Sequence, residues 1–154
     1  MAPDVRWSTH RKGASIEDRT AAARATMVER QLRGRGIHDE RVLAAMSQIP
    51  RERFVPADLR ARAYDDDALP IEEGQSISQP YVVAWMTQLL KIEPGMAVLE
   101  IGTGTGYQAA ILATIGATVR SLERLPGLAE AARTRLAELD RAERVVVITG
   151  DGSL

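Results

Sequence analysis

The sequence predicts an α/β fold in which a Rossmann-like parallel sheet, with helices on both faces, follows an N-terminal helical segment. Short apolar runs alternate with helical stretches over residues 95–154, which is typical of buried parallel strands joined by crossover helices. A glycine-rich turn separates the first of these runs from the helix that follows it. Upstream, apolar residues recur at helical spacing instead. The 154 residues suffice for one domain with a core.

The N-terminal segment is predicted to contain one long helix after a short leader. Residues 1–17 are polar and lack periodicity, so we expect them to be disordered. Helical periodicity begins at Asp18 and continues to about Arg35, with Gly34 and Gly36 ending it. The apolar positions of this helix are Ala22, Ala25, Met27, Val28 and Leu32.

Two further helices are predicted before the sheet. Asp39 is a good N-cap for a short helix that Pro50 stops. Its apolar face comprises Val42, Leu43 and Met46. Residues 51–80 are punctuated by prolines and a glycine, which predicts an irregular segment. A third helix runs from Pro80 to about Leu90. Its expected apolar face includes Val82, Val83, Trp85, Met86, Leu89 and Leu90.

The remaining segment, residues 95–154, has a βαβαβ pattern after the Pro94-Gly95 turn. The predicted strands are Ala97–Ile101, Thr118–Leu122 and Val145–Thr149, and the predicted helices are about Tyr107–Ile115 and Leu128–Leu139. We therefore divide the chain into a leader (1–17), a helical and loop segment (18–94) and a βαβαβ half (95–154).

The turn after the first strand contains Gly102, Gly104 and Gly106. Such glycines let the backbone bend sharply and a ligand approach closely. A dinucleotide-binding G-x-G-x-x-G motif would have its third glycine where Tyr107 stands. Glu100, just before the loop, would repel a pyrophosphate but suits a ligand with ammonium and sulfonium groups. The loop therefore predicts an S-adenosyl-L-methionine site.

Two more acids follow the other strands. Glu123 ends the second strand, and Asp151 follows the third. In Rossmann-type sites, an acid about twenty residues after the loop accepts hydrogen bonds from ribose hydroxyls. Because parallel strands end at one edge of a sheet, all three acids are expected at the ligand-binding edge. The alternative is a tight turn whose neighbouring acids only cap helices.

Composition narrows the range of partners. The formal net charge of −1 gives no indication of a nucleic-acid or membrane partner. The absence of cysteine excludes disulfides and thiol chemistry, and it fits a cytoplasmic location. His10 and His38 are isolated and are expected at the surface, so no metal site is predicted.

Two charged segments leave alternatives open. Residues 1–36 carry eight Lys/Arg and four Asp/Glu, and they form either a solvated basic arm or a weak docking element. Asp65–Asp67, with Glu72 and Glu73, form either a solvated loop or a surface that biases the choice of peptide.

Four stretches together resemble the protein-L-isoaspartate O-methyltransferase family. They are LEIGTGTGYQAA at Leu99–Ala110, ALPIEEGQSISQP at Ala68–Pro80, MVERQLRGRG at Met27–Gly36, and the Arg53–Pro56 run within Ile49–Pro56. The resemblance covers about residues 24–152, and the first two motifs are the specific ones. It implies a class I methyltransferase that methylates the free carboxylate of L-isoaspartyl residues in damaged proteins and peptides. The ester then closes to a succinimide that reopens partly to normal aspartate.

The resemblance also implies roles for individual residues. Ser78 matches the family's active-site serine, although by position alone an ordinary turn serine is favoured. Ser76 stands where threonine is usual. The residues expected to contact S-adenosyl-L-methionine are Ser76, Glu100, Gly102, Thr103, Gly104, Gly106, Glu123, Arg124, Asp151 and Gly152. Within that set, the glycines would hold the methionine part, Glu123 the ribose, and Asp151 with Gly152 the adenine. Glu72 departs from the small residue that the family often has there.

The sequence stops at Leu154, whereas the family continues for several strands and helices. A fourth strand would lie beside the first, so strand Ala97–Ile101 is expected to be an unpaired apolar edge. We therefore expect self-association, with a fragment or a rearranged smaller variant as alternatives. A cofactor-binding or interaction module with weak or no activity, and an enzyme acting on another carboxylate, are the alternative functions.

Overall fold

The computed structural model describes residues 15–153, in which a helical and loop segment precedes a three-stranded parallel sheet. The predictions made for residues 1–14, namely a disordered leader and a surface position for His10, lie outside the described residues.

The first helix, α1, spans Ile16–Thr26 and begins two residues before the predicted Asp18. Ser15 is its N-cap. The Ser15 hydroxyl accepts a hydrogen bond from the Asp18 N–H at 3.0 Å, and the Asp18 carboxylate accepts one from the Ser15 N–H at 3.0 Å. Because this reciprocal capping box belongs to the helix start, the predicted leader boundary at residue 17 lies too far along the chain.

The apolar stripe of the first helix lies after α1. None of the α1 side chains is buried, so Ala22 and Ala25, two of the apolar positions of the predicted helix, do not face the core. The chain continues as a π-helical turn over Met27–Leu32 and a 3-10 turn over Arg33–Arg35, and it ends at Gly36 with a φ of +92°. The buried side chains are Met27, Val28 and Leu32. The wider π-turn changes the spacing of core positions, which a regular helical period does not anticipate.

Helix α2 spans Glu40–Gln48, as predicted. The Asp39 side chain accepts a hydrogen bond from the Arg41 N–H at 2.9 Å and so caps the helix. The predicted apolar face, Val42, Leu43 and Met46, is buried.

Helix α3 spans Pro80–Leu89, but its predicted apolar face is mostly exposed. The buried residues are Pro80, Val83, Ala84 and Thr87. The exposed ones are Trp85, Met86, Leu89 and, just past the helix, Leu90. Because α3 is apolar nearly all round, periodicity could not select the face that packs against α2 and the π-turn.

The sheet contains β3 (Ala97–Ile101), β4 (Thr118–Glu123) and β5 (Val145–Thr149), in the order β3-β4-β5 and all parallel. Helices α4 (Tyr107–Ile115) and α5 (Pro126–Glu138) form the crossovers. The predicted βαβαβ pattern is confirmed, with β4 one residue longer and α5 starting two residues earlier. Two residues each at Leu69–Pro70 (β1) and Ser76–Ile77 (β2) form a small antiparallel pair that was not predicted.

The helices of the described residues cover one face of the sheet. Val119, Ser121, Val145 and Val147 are buried on that face. The opposite face is open, with Leu99, Ile101, Val146 and Ile148 exposed. Two right-handed crossovers that step in the same direction place both helices on the same side. The Rossmann-like architecture is therefore confirmed. Within residues 15–153 the helices lie on one of the two faces that were predicted to carry them.

Candidate functional site

The glycine loop between β3 and α4 is held against the end of β4. The N–H groups of Gly102 and Thr103 donate to the Leu122 carbonyl at 2.8 and 3.2 Å. Gly102, Gly104 and Gly106 have φ values of +89°, +54° and +88°, a left-handed region that other residues adopt at a cost. The loop therefore depends on glycine for its shape, as predicted.

The Glu123 side chain at the end of β4 is hydrogen-bonded to the backbone of this loop. It is only 6% exposed, and its carboxylate accepts hydrogen bonds from the Gly104 N–H at 2.8 Å and the Leu125 N–H at 3.0 Å. Each carboxylate oxygen has a second lone pair, so a ligand hydroxyl could still donate to it. The side chain predicted to contact ribose thus also joins the loop to the start of α5.

Glu100 lies on the covered face of β3 and is half-buried. The Ser121 hydroxyl donates to its carboxylate, and the Ser121 oxygen lies 2.6 Å from that of Thr103. Burial raises the pKa of Glu100 to about 7; the hydrogen bond from Ser121 opposes the shift and the charge of Glu123 adds to it. A carboxyl that titrates near neutrality therefore stands at the end of the strand, where a cationic ligand would favour its ionised form.

Two cavities meet over the glycine loop. The first, of about 540 Å³, extends towards α3, and the second, of about 450 Å³, extends towards β5. Ser76, Ile101, Gly102 and Gly104 line both. The two volumes therefore form an elongated site across the carboxyl edge of the sheet, which is where open α/β sheets bind ligands.

The structure brings the predicted site residues together around these cavities. Ser78, Glu100 and Thr103 line the first. The second is lined by Glu123, Arg124, Asp151 and Gly152. Gly106 lines neither, because it is the buried N-cap of α4 and its Cα faces Ala132 and Leu136 of α5; a Cβ there would lie 3.4 Å from Ala132.

Asp151 is exposed, and its carboxylate is hydrogen-bonded to the nearby Ser153. The Ser153 N–H and hydroxyl donate to it at 2.9 and 2.6 Å, which lowers the pKa of Asp151. Gly152 lies so close to Ile101 that a Cβ at residue 152 would come within 2.6 Å of it. The turn that follows β5 therefore packs against the Ile101 side chain at the end of β3.

The β1–β2 pair presents Ser76 and Ser78 at the rim of the site. Ile77, between them, is 5% exposed and points into the core. Alternation along the chain then leaves both serines exposed. The preceding loop is closed by the Ile71 N–H, which donates to the Gln75 carbonyl at 2.9 Å.

Two polar residues, one lining the site and one directly behind its wall, were not predicted from the sequence. Arg51 is 0% exposed and donates to the Ser78 carbonyl at 2.8 Å. Gln108 lines the first cavity, and its amide donates to the Thr87 hydroxyl at 2.8 Å while its carbonyl oxygen is buried without a partner. An isolated glutamine in an otherwise apolar helix was a usable signal. No sequence pattern distinguished Arg51 from the other arginines of the chain.

The acidic run is largely neutralised by arginines. Arg62 pairs with Asp65 at 3.0 Å and with Asp67 at 3.8 Å, and Arg35 pairs with Asp66. These pairs favour a solvated loop over a surface that attracts a cationic peptide. His38 is exposed, as predicted.

Residues 15–153 give no indication of a membrane span or of a metal site. No helix there has the length and apolar character needed to cross a membrane. No group of three or more His, Asp or Glu side chains there is arranged to hold a metal ion.

The family model and the curated relatives that this chain resembles in sequence carry the same enzyme name. A family model for protein-L-isoaspartate(D-aspartate) O-methyltransferase matches residues 23–154. A protein-L-isoaspartate O-methyltransferase from Methanoculleus marisnigri is 57% identical over 130 residues, covering 84% of this chain and 59% of the relative. One from Methylorubrum populi is 56% identical over 133 residues, covering 86% and 62%. The chain thus spans about 60% of the length of these relatives.

Solved structures agree on the fold. A protein-L-isoaspartate O-methyltransferase superposes with a TM-score of 0.73 at 32% identity, covering 84% of this chain and 42% of the other. A Plasmodium falciparum structure described under the same enzyme name, in complex with S-adenosyl-L-homocysteine, has a TM-score of 0.69 at 24% identity over 82% of this chain and 62% of the other. By the family match and by these similarities, the chain belongs to the protein-L-isoaspartate(D-aspartate) O-methyltransferase family.

Proposed function

We propose that this chain binds S-adenosyl-L-methionine across the two cavities and directs its methyl group to the free carboxylate of L-isoaspartyl residues. The observation that carries the proposal is the elongated site over the glycine loop, with an acid at each strand end and the Ser76–Ser78 segment at its rim. Family membership supports the same acceptor.

The residues of the site fit such a donor better than a dinucleotide. The Gly104 N–H already donates to the Glu123 carboxylate, so a diphosphate would meet an anion where it needs a donor. Glu100 borders the first cavity, where an ammonium group would favour its ionised form. We assign the methionine end to the first cavity and the adenosine end to the second, beside Glu123, Arg124, Asp151 and Gly152.

The chemistry requires little of the chain beyond positioning. When bound, the donor would supply a methyl group activated by its sulfonium; transfer to a carboxylate oxygen would form the ester O–C bond as the S–C bond breaks and leave a neutral thioether. The acceptor carboxylate is already ionised near pH 7, so no general base is needed. The Ser78 hydroxyl donates to that carboxylate and helps to orient it. Holding donor and acceptor together in the reactive geometry supplies on the order of 7–11 kcal/mol in all, of which one hydrogen bond is a small part.

The test is methyl transfer to an isoaspartyl peptide, with the matching aspartyl peptide as control. Base-labile label on the isoaspartyl peptide alone is expected. Ser78→Ala is expected to reduce turnover about tenfold or more, since it removes one hydrogen bond to a charged group. Ser47→Ala, at an exposed serine of α2, is the control and leaves turnover unchanged. Equal turnover in both variants would remove Ser78 from the site.

A second candidate is a module that binds the donor without transferring the methyl group. It is favoured by the wall of the first cavity, where Met86, Leu89 and Leu90 of the α3 end and Leu99 of β3 are exposed and leave the site open to water. Calorimetric binding of S-adenosyl-L-homocysteine without transfer to any peptide distinguishes this candidate. Transfer to a different carboxylic acid would instead identify another acceptor class.

We also propose that the chain self-associates with a second copy along β3. Support comes from β3, which within residues 15–153 pairs with β4 alone, and from the adjoining apolar side chains Leu99 and Ile101, which are 64% and 57% exposed. Sedimentation at tens of micromolar is expected to reveal a dimer that Leu99→Lys dissociates. A wild-type monomer under these conditions contradicts the proposal.

The division between residues 94 and 95, and the cytoplasmic location, stay predictions. Expression of residues 95–154 alone would test the first, and fractionation of the source cells would test the second.

A further inference from the structure

Arg51 is a buried cation without an anionic partner. Its side chain is 0% exposed, its Nε donates to the Ala63 carbonyl at 2.8 Å, and its Nη2 donates to the Ser78 carbonyl at 2.8 Å. The third nitrogen, Nη1, is buried without a hydrogen-bond partner. Within residues 15–153, no carboxylate forms an ion pair with Arg51.

Burying the Arg51 charge without a counter-charge destabilises the fold, which indicates that the charge has a function. Burying an ionised group away from water is strongly unfavourable without a counter-charge, and arginine stays protonated even where burial lowers its pKa, as it does here. A methionine would fill the same volume without this cost. Two carbonyl acceptors and an aromatic ring compensate the charge only in part.

Arg51 lies directly behind the wall of the first cavity. It does not line the cavity itself, but its partners Ser78 and Tyr107 do. The guanidinium carbon is 4.9 Å from the centre of the Tyr107 ring, and Tyr107 is the first residue of α4 after the glycine loop. Arg51 therefore joins the segment at the acceptor side of the site to the helix at the donor side.

We propose that Arg51 is a positioning and specificity-determining residue: it fixes the Ser78 backbone and supplies the positive potential that selects an anionic carboxylate at Ser78. The inference rests on the proposed function, because it takes Ser78 as the acceptor side. A carboxylate bound at Ser78 completes the partial compensation of the buried cation. The neutral amide of the same peptide would gain nothing from this potential.

The test compares two peptides that differ only in the isoaspartyl carboxylate or its primary amide. Each is titrated into the full chain saturated with S-adenosyl-L-homocysteine. Arg51→Met is expected to reduce the carboxylate-over-amide affinity ratio at least tenfold, with the affinity for S-adenosyl-L-homocysteine changed less than threefold. Arg53→Met is the matched control, because Arg53 is exposed and pairs with Glu138 at 2.8 Å; its ratio stays that of the wild type. Circular dichroism checks that each variant is folded.

Arg51→Lys tests the charge separately from the shape and keeps the inference falsifiable if Arg51→Met does not fold. A buried lysine titrates at a lower pH than arginine. The ionisable groups that face residue 51 are the phenols of Tyr64 and Tyr107, whose pKa values burial raises, so they stay neutral below pH 10. The lysine variant should keep its preference for the carboxylate at pH 6.5 and lose it by pH 9.5, while the wild type keeps it throughout.

The outcomes separate the two proposals. Equal weakening of both peptides in Arg51→Met, or an unchanged ratio, overturns the role of the charge and leaves the proposed function standing. A lysine variant whose ratio does not change with pH overturns it as well. If the wild type binds neither peptide, the proposed function fails and the inference fails with it.

Discussion

The two edge strands of the described sheet, β3 and β5, differ in how they are protected. On β5, the Arg133 side chain crosses from α5 and donates to the Val147 carbonyl at 3.3 Å (Nε) and 3.0 Å (Nη2), and Nη2 also donates to the Thr149 hydroxyl at 2.9 Å. On β3, within residues 15–153, the backbone pairs with β4 alone. A charged side chain on an exposed edge blocks the addition of another strand. Within the described residues, the β5 edge is therefore protected against a further strand and the β3 edge is not.

The two faces of the same strands differ in a similar way. One face packs beneath α4 and α5, and the other is exposed at Leu99, Ile101, Val146 and Ile148. The two crossover helices therefore account for both kinds of protection. They cover one face of the sheet, and α5 supplies the arginine that blocks the β5 edge.

The contrast between the faces predicts the largest effect. Ile111, 0% exposed in α4, packs on the covered side, and Ile148, 40% exposed, lies on the open side. Ile111→Ala is expected to lower the free energy of unfolding by about 2–5 kcal/mol. Ile148→Thr, which keeps a β-branched side chain, should change it by less than about 0.5 kcal/mol. Urea unfolding followed by circular dichroism measures both, and equal losses would show that the open face is covered in solution.

The pH dependence of stability that Glu100 causes tests whether the covered face of β3 is shielded from water, although β3 is an edge strand. Its pKa of about 7 exceeds the ordinary value for glutamate because of burial. For a carboxyl whose folded-state pKa is raised, ionisation disfavours the folded state, so stability should fall as pH rises from about 4.5 to 7. The expected loss is about 3 kcal/mol relative to Glu100→Gln, which has no such titration. Identical pH profiles would mean that water reaches Glu100 freely.

The smallest expected effect concerns the β5 edge. Arg133→Met removes the hydrogen bonds to Val147 and Thr149 and should lower the free energy of unfolding by about 1 kcal/mol. It should also promote association, because the β5 edge would then resemble that of β3. Arg120→Met, on the exposed side of β4, is the control and should do neither. Sedimentation and urea unfolding together provide the measurement.

Much of the site followed from the positions at which the predicted strands end. The glycine loop and the acids at the strand ends could be placed at one edge because parallel strands all end there. By contrast, the hydrogen bond from Gly104 to Glu123 joins residues 19 apart. The sequence predicted that these two residues lie near each other, but no pattern predicted that the Glu123 carboxylate would be hydrogen-bonded to the loop backbone.

The N-terminal half was predicted less accurately, for a different reason. Helix α3 is apolar on most of its surface, so its pattern did not show that Val83 and Thr87 are buried while Trp85 and Leu89 are exposed. The short β1–β2 pair has only two residues in each strand, which is too few for alternation to be recognised.

The sequence by itself determined the features that depend on local chemistry: the capped helix after Asp39, the alternation of strands and helices, and the left-handed glycines of the loop. Only the tertiary structure decided which face of the sheet is covered, where the buried Arg51 lies, and how Ser78 is held near the glycine loop. These depend on contacts between segments far apart in the chain. A side chain's own type sets its cost of burial, but the partners that offset that cost exist only in the folded protein.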